Sequence, residues 1–412
     1  MAIQINSDRL LRELEILAAF SDVPPPAVTR VVYSDADMNA RAWFVDQCKA
    51  VGLRVRADAI GNIFVRLQGT APDLPAIATG SHIDAIPFAG KYDGTVGVLG
   101  GLEALRAIRE SGLRVRRSIE LIIFTAEEPT RFGIGCFGSR LLTGALPVSA
   151  DESLRDSEGR SLFELRTSAG YQGTIESVLL PNNSYAGFVE LHIEQGPLLE
   201  QEQIPIGIVT DIAAPAGLRI SVEGEGGHAG AVLMPYRKDA LCAAAEIVLA
   251  IERSALTTEE IDTCATVGKC EIFPGAVNSI PSKVLLEADV RDINENRRNH
   301  VLSEIRRACS EVAAARGVSI SLETVNADAP AKSSPQIIKT VADAAHELGL
   351  HYKKMVSRAY HDSLFMSQIT EICMIFIPCK GGVSHRPDEF ASAHDIANGT
   401  RVLAETLMRL AQ

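Results

Sequence analysis

The chain has 412 residues, 46% of them apolar and 22% charged, with a formal net charge of −12. That length exceeds what one hydrophobic core usually organises and predicts two or three domains. The acidic balance argues against a nucleic-acid partner, because phosphate binding wants a basic face, and no apolar run reads as a membrane span.

Residues 7–20 and 38–51 carry helical apolar spacing and are separated by the breaker DVPPP. The opening MAIQINSDRLLRELEILAAF mixes acidic residues into a helical pattern, so no signal peptide is read there. PAIATG (75–80) predicts a strand, DGTVGVLGGLEALRAIRES (93–111) a helix, RSIELIIFTAEE (117–128) a second strand and AGFVELHIEQG (186–196) a third. From about 211 to 328 the order becomes strand, helix, strand, strand, helix, strand, a split βαβ arrangement running from GLRISVEGEGG to VSISLETVNA. EICMIFIPCKGG (371–382) then resumes the earlier pattern as a buried strand, and AHDIANGTRVLAETLMRLA closes the chain as a helix. Nearly continuous apolar strands alternating with helices predict a mainly parallel sheet covered on both faces. The expected organisation is α/β: a mainly parallel-sheet catalytic domain from 1–210 and 329–412, with an α+β, ferredoxin-like domain inserted at 211–328. The eight cysteines are scattered without a C-x-x-C pair, which fits free thiols in a reducing, cytoplasmic setting.

Ligands of open α/β sheets collect outside the carboxyl ends of the strands. Four predicted strands finish there on metal-type donors: His82 and Asp84, then Glu127 and Glu128, then His192 and Glu194, and finally His385. Asp93 sits at the mouth of a predicted helix. One histidine at a strand end is commonly structural, and an EE pair is commonly solvated surface. Three of only nine histidines at separate strand ends, each with carboxylates nearby, make a poor coincidence. His82, Asp93, Glu128, His192 and His385 would together hold two divalent cations, with a carboxylate such as Asp93 between them. Imidazole and carboxylate donors suit zinc, manganese, nickel or cobalt. Asp84 is expected to accept the second ring N–H of His82 and fix its tautomer. Glu127 is expected to stay off the metal and take a proton from water.

The stretches GSHIDAIPFAGKYDG, FTAEEPTRFGIGCFGSR, ELHIEQGP, GEGGHAGAVLMPYRKDA, GAVNSIPSK, SRAYHDSLFMSQI and IFIPCKGGVSHRPDE resemble the amidase/hydantoinase–carbamoylase branch of the dinuclear metallopeptidase superfamily. The likeness runs in order from about residue 75 to 405. It implies two metal ions on the five ligands above, Mn2+ first among the candidates and Zn2+, Ni2+ or Co2+ behind it, with Glu127 as general base. It implies a homodimer formed through the inserted domain, with His228, Asn278 and Arg291 reaching the partner subunit's active site, and Gln195 touching substrate. Such roles suit their chemistry: a guanidinium fork matches a carboxylate, and His228 and Asn278 can donate to an oxyanion.

The branch hydrolyses ureido compounds, among them N-carbamoyl-L-amino acids, allantoate and ureidoglycolate. In SRAYHD, Arg358 and Tyr360 replace two glycines of the family's SGAGHD version. Tyr360 and His361 are expected at the substrate, where the tyrosine narrows the pocket. A short ureido-carboxylate is therefore expected, (S)-ureidoglycolate from purine breakdown ahead of allantoate or an N-carbamoyl-L-amino acid. A metal-free scaffold that kept the fold is the competing class, and the complete ligand set opposes it.

Overall fold

The computed structural model describes residues 3–412. The chain divides into two compact units, one made of Met1–Thr210, Lys332–Ser357 and His361–Gln412, the other of Asp211–Ala331 with Arg358–Tyr360.

In the first unit, four strands run parallel and side by side in the order Ile119–Phe124, Ala76–His82, Tyr185–Ile193, Ile372–Ile377. Antiparallel strands flank them, Ile63–Leu67 and Arg54–Ala57 beyond one side and Ile206–Ile212 beyond the other. The sheet is thus parallel at its centre only. Burial explains the split: the central strands are buried except at Ala186, whereas Arg54–Ala57 is largely exposed. Helices Ser7–Ala19, Thr95–Glu110 and Ala393–Leu410 seal the core with Leu10, Leu99, Leu102, Leu403 and Leu407, all fully buried. Each such side chain contributes about 1.5–3 kcal/mol relative to exposure. Ser392 caps the last helix by accepting the Asp395 N–H.

The passage from His82 to the following helix holds a short strand the sequence pattern did not predict. Ala85–Ala89 pairs antiparallel with Val28–Arg30. Arg30 is fully buried and donates to the backbone oxygens of Ile83 (2.5 Å), Leu17 and Phe20 (both 2.7 Å). A buried guanidinium spent on carbonyls fixes the turn that carries His82 and Asp84.

The second unit is a four-stranded antiparallel sheet in the order Cys264–Phe273, Lys283–Asp292, Ala214–Glu223, Ser319–Ala327, with helices Ala240–Leu256 and Glu295–Arg316. Lys283–Asp292 alternates buried and part-exposed residues, the mark of a sheet covered on one face. The longer helix stops at Gly317, whose positive φ of 64° makes it the left-handed cap. Among the described residues no helix is long and apolar enough to cross a membrane, and all eight cysteines are unpaired.

Candidate metal centre

The four parallel strands deliver their polar ends to one place in the first unit. His82 closes the strand Ala76–His82, and His192 lies one residue before the end of Tyr185–Ile193. Glu127 and Glu128 follow Ile119–Phe124 through a turn in which Ala126 takes a φ of +55°, and His385 stands on the loop beyond Ile372–Ile377. Asp93 arrives from the helix side, one residue before Gly94. That glycine has a φ of +65°, and a Cβ there would meet His82 Nε2 at 2.4 Å, so the position admits only glycine.

Asp93 is the centre of the arrangement. Its Oδ1 lies 3.1 Å from His192 Nε2 and 3.5 Å from His82 Nε2, while its Oδ2 lies 3.2 Å from His385 Nε2. Glu128 Oε1 stands 3.5 Å from the same His385 nitrogen. Two groups of donors result, His82–Asp93–His192 and Asp93–Glu128–His385, in each of which the ligand atoms lie within 4.8 Å of one another. Glu127 Oε2 is 3.7 Å from His82 Nε2 and belongs to neither group.

The donor chemistry fits cations. His82 Nδ1 lies 3.0 Å from the backbone oxygen of Asp84, and His192 Nδ1 lies 2.9 Å from that of Ile193. A carbonyl oxygen only accepts, so each Nδ1 carries a proton and each Nε2 turns towards Asp93. A ring lone pair facing a carboxylate oxygen is stable only with a positive charge between them. Without metal, protons take that place. His385 is pushed up to about 9, chiefly by its hydrogen bond to Asp93. Burial opposes the charging of His82 and His192, but the surrounding carboxylates raise both. Burial would also raise Asp93, yet hydrogen bonds from the three imidazoles hold it well below the usual range. Burial lifts Glu127 well above the carboxylate range and Glu128 to about 7, with neighbouring carboxylates adding to both.

The predicted contact between the Asp84 carboxylate and His82 is not made. Its Oδ1 is 3.7 Å from the ring nitrogen, and the nearer backbone oxygen of Asp84 takes that role. The carboxylate instead accepts the N–H groups of Glu127 (3.2 Å) and Glu128 (3.0 Å). These amides lie past a strand end with no ladder partner, and a buried N–H needs an acceptor. Asp84 therefore orients Glu127 and Glu128.

Gln195, with a φ of +55°, donates from Nε2 to Asp93 Oδ2 at 2.8 Å, and its buried Oε1 has no hydrogen-bond partner. His361 is 3% exposed and packs edge-on against His192, ring centroids 4.5 Å apart, with Nε2 3.1 Å from Ser357 Oγ. That places it buried behind His192 and not, as expected, open at the surface. A further contact escaped the sequence pattern: Cys136 donates from Sγ to Glu127 Oε1 at 3.3 Å and from its N–H to the Glu127 backbone oxygen at 2.6 Å. One cysteine among eight scattered ones gave no signal.

In the second unit, His228 and Asn278 are brought together. Gly227–His228 pairs with Ser279–Ile280, and Ala229 N–H donates to the Asn278 oxygen at 2.9 Å, leaving both side chains exposed. Arg291 is held elsewhere by Asp289 (Nε to Oδ1 2.7 Å) and lies over the Tyr360 ring at 5.5 Å. Arg358 donates to Asp262 at 2.5 Å.

The model of peptidase family M20/M25/M40 matches residues 78–409. The chain is 52% identical to the ureidoglycolate hydrolase of Arabidopsis thaliana, over 99% of this chain and 87% of that protein. It is 33% identical to the allantoate amidohydrolase of Bacillus subtilis, over 97% and 96%. The crystal structures of AtUAH in complex with glyoxylate and with (S)-hydroxyglycine superpose with a TM-score of 0.91, at 52% and 51% identity, over all of this chain and 99% of theirs. Matched from within the strand Ala76–His82 to its last helix, and carrying a two-group donor cluster at the strand ends, the chain belongs to peptidase family M20/M25/M40.

Proposed function

We propose that the protein hydrolyses the ureido C–N bond of (S)-ureidoglycolate, using two divalent cations held by His82, Asp93, Glu128, His192 and His385. Water adds across the ureido group to release ammonia and carbon dioxide. The hydroxyglycine left behind falls apart to glyoxylate and a second ammonia. The observation that carries the reading is the division of Asp93, one oxygen to His82 and His192 and the other to His385 beside Glu128. The 52% identity to a ureidoglycolate hydrolase, against 33% to an allantoate amidohydrolase, supports the choice of substrate. So do the glyoxylate and (S)-hydroxyglycine bound in AtUAH.

When bound, the ions would supply Lewis acidity, Mn2+ ahead of Zn2+, Ni2+ or Co2+. The residues do the rest. Glu127 takes the proton of the attacking water and returns it to the departing nitrogen. Cys136 and Asp84 hold its side chain and backbone in line. Arg291 is assigned the substrate carboxylate, His228 and Asn278 the developing oxyanion, and Gln195 and Tyr360 contact with the substrate. His361 supports His192.

The homodimer belongs to the same proposal. The inserted unit ends its sheet on Cys264–Phe273, an exposed edge strand, and Phe273, Val277 and Ile261 stand exposed near its ends. An open edge flanked by apolar side chains wants a partner strand. Eight unpaired cysteines suit a cytoplasmic setting. Stripping the protein with a chelator, adding back Mn2+ and following glyoxylate release from (S)-ureidoglycolate tests the function. Turnover that disappears and returns with metal is expected. Turnover indifferent to the chelator, or none after reconstitution, would contradict the reading.

A further inference from the structure

Glu389 is only 4% exposed, although it sits in a loop sequence, HRPDEF, that reads as solvated. Its Oε1 accepts two backbone N–H groups, Tyr92 at 2.8 Å and Asp93 at 3.1 Å. Its Oε2 lies 3.0 Å from Ser384 Oγ, which is itself 2.9 Å from Asp93 Oδ2. Gln195 Nε2 completes the ring, 2.8 Å from the same Asp93 oxygen and 3.2 Å from Ser384 Oγ. Glu389 thereby grips the backbone of Asp93 directly, and the Ser384 hydroxyl, whose one proton serves one carboxylate at a time, sits between it and the Asp93 carboxylate.

The same side chain ties two loops together. Loop 90–94 carries Asp93, and loop 380–390 carries His385, whose φ of +59° is costly for a residue with a Cβ. Beside the Glu389 contacts, the Tyr92 and Phe390 rings meet edge-on at 6.0 Å. The approach is close enough to dictate a neighbour: a Cβ on Gly90 would lie 2.3 Å from Glu389 Cβ and 2.5 Å from its Oε1.

Resting on the two-metal reading above, we propose that Glu389 is a positioning residue for the metal centre, fixing Asp93 relative to His385 through the two amides it holds. The Asp93–Glu128–His385 group depends on it twice, through Asp93 and through the His385 loop. The His82–Asp93–His192 group depends on it once. Partners that orient ligands in this way usually change metal affinity by about 10- to 100-fold.

Two conservative variants separate reach from charge. Glu389→Gln keeps the length and an oxygen for both amides but loses the charge. Glu389→Asp keeps the charge but falls a methylene short. Metal-free wild type and both variants are dialysed to equilibrium against Mn2+, so that affinity is read without activity, and circular dichroism checks the fold. Two ions per chain are expected in wild type. Glu389→Gln should bind both within about threefold of wild type, and Glu389→Asp should bind one about tenfold or more weakly and the other nearly normally. Ser384→Ala, which cuts only the hydroxyl link, should weaken that same ion by a smaller factor. It carries the test if Glu389→Asp does not fold. Wild-type affinity in both the Asp and Ala variants, or a loss in Gln with none in Asp, overturns the proposal. Fewer than two ions in wild type overturns the two-metal reading and this inference with it.

Discussion

The two units handle their polar residues in opposite ways. In the catalytic unit every candidate ligand except His385 is buried, and each is gripped by a second group: Asp84 on the Glu127 and Glu128 amides, Gln195 and Ser384 on Asp93, His361 against His192. In the inserted unit the candidate substrate residues His228 and Asn278 stand exposed, and Arg291 is occupied by Asp289. Buried polar groups must be satisfied where they are, so the candidate ligands of the first unit are held in place by their own unit. Exposed groups become specific only when something is brought to them. On the proposed function, the difference makes metal binding and substrate capture separable.

The largest expected effect tests that separation at the base. Glu127→Gln keeps the shape of the site but cannot accept the water proton, so kcat should fall by about 10²- to 10⁴-fold. Bound metal, measured by elemental analysis, should stay at the wild-type level. Turnover close to wild type would remove Glu127 from its role.

Next comes Arg291→Ala, which should raise KM by about 10- to 100-fold through loss of a charged hydrogen bond to the substrate carboxylate, again with metal content unchanged. Mixed dimers of Glu127→Gln and Arg291→Ala chains should regain activity if Arg291 serves the partner's site. Verified heterodimers that stay inactive would confine Arg291 to its own chain, where it lies over Tyr360.

A smaller effect is expected from Tyr360→Gly. Opening the pocket should shift the kcat/KM ratio towards allantoate by about tenfold, in the range that one pocket contact supplies. An unmoved ratio would reduce Tyr360 to packing under Arg291.

The smallest effect concerns the catalytic unit without its cations. His385 is raised to about 9 and Glu128 to about 7, so the folded metal-free protein holds protons that the unfolded chain has released. A raised histidine stabilises fully below its unfolded value and loses that contribution as pH climbs through its folded one. The raised glutamate acts in the same direction at lower pH. The melting temperature of the metal-free protein should therefore fall as pH rises from about 5 to 9, and saturating Mn2+, which replaces the protons, should remove that fall. A metal-free Tm that rises over this window would contradict the charge balance drawn for the site.

Much of the catalytic unit was legible in the sequence because its central strands are buried on both faces and so read as apolar runs ending in polar donors. The strand Ala85–Ala89 was not, since Pro87 inside its short apolar run AIPFA argues against a strand. Which oxygen of Asp84 meets His82 is settled by the turn that Arg30 holds, and spacing along the chain carries no trace of it. Glu389 was hidden by its neighbours: within Pro-Asp-Glu a carboxylate looks solvated, and only the fold of loop 380–390 takes it inside. His361 misled in the other direction. A histidine beside candidate ligands suggests substrate contact, whereas its burial against His192 makes it a support.

The most direct test of the account is kcat/KM of the Mn2+-reconstituted protein for (S)-ureidoglycolate, with allantoate and an N-carbamoyl-L-amino acid measured on the same preparation. A clear preference for (S)-ureidoglycolate is predicted. Equal or better turnover of either larger substrate would leave the metal centre and Glu127 in place but contradict the reading of Tyr360 and of the pocket.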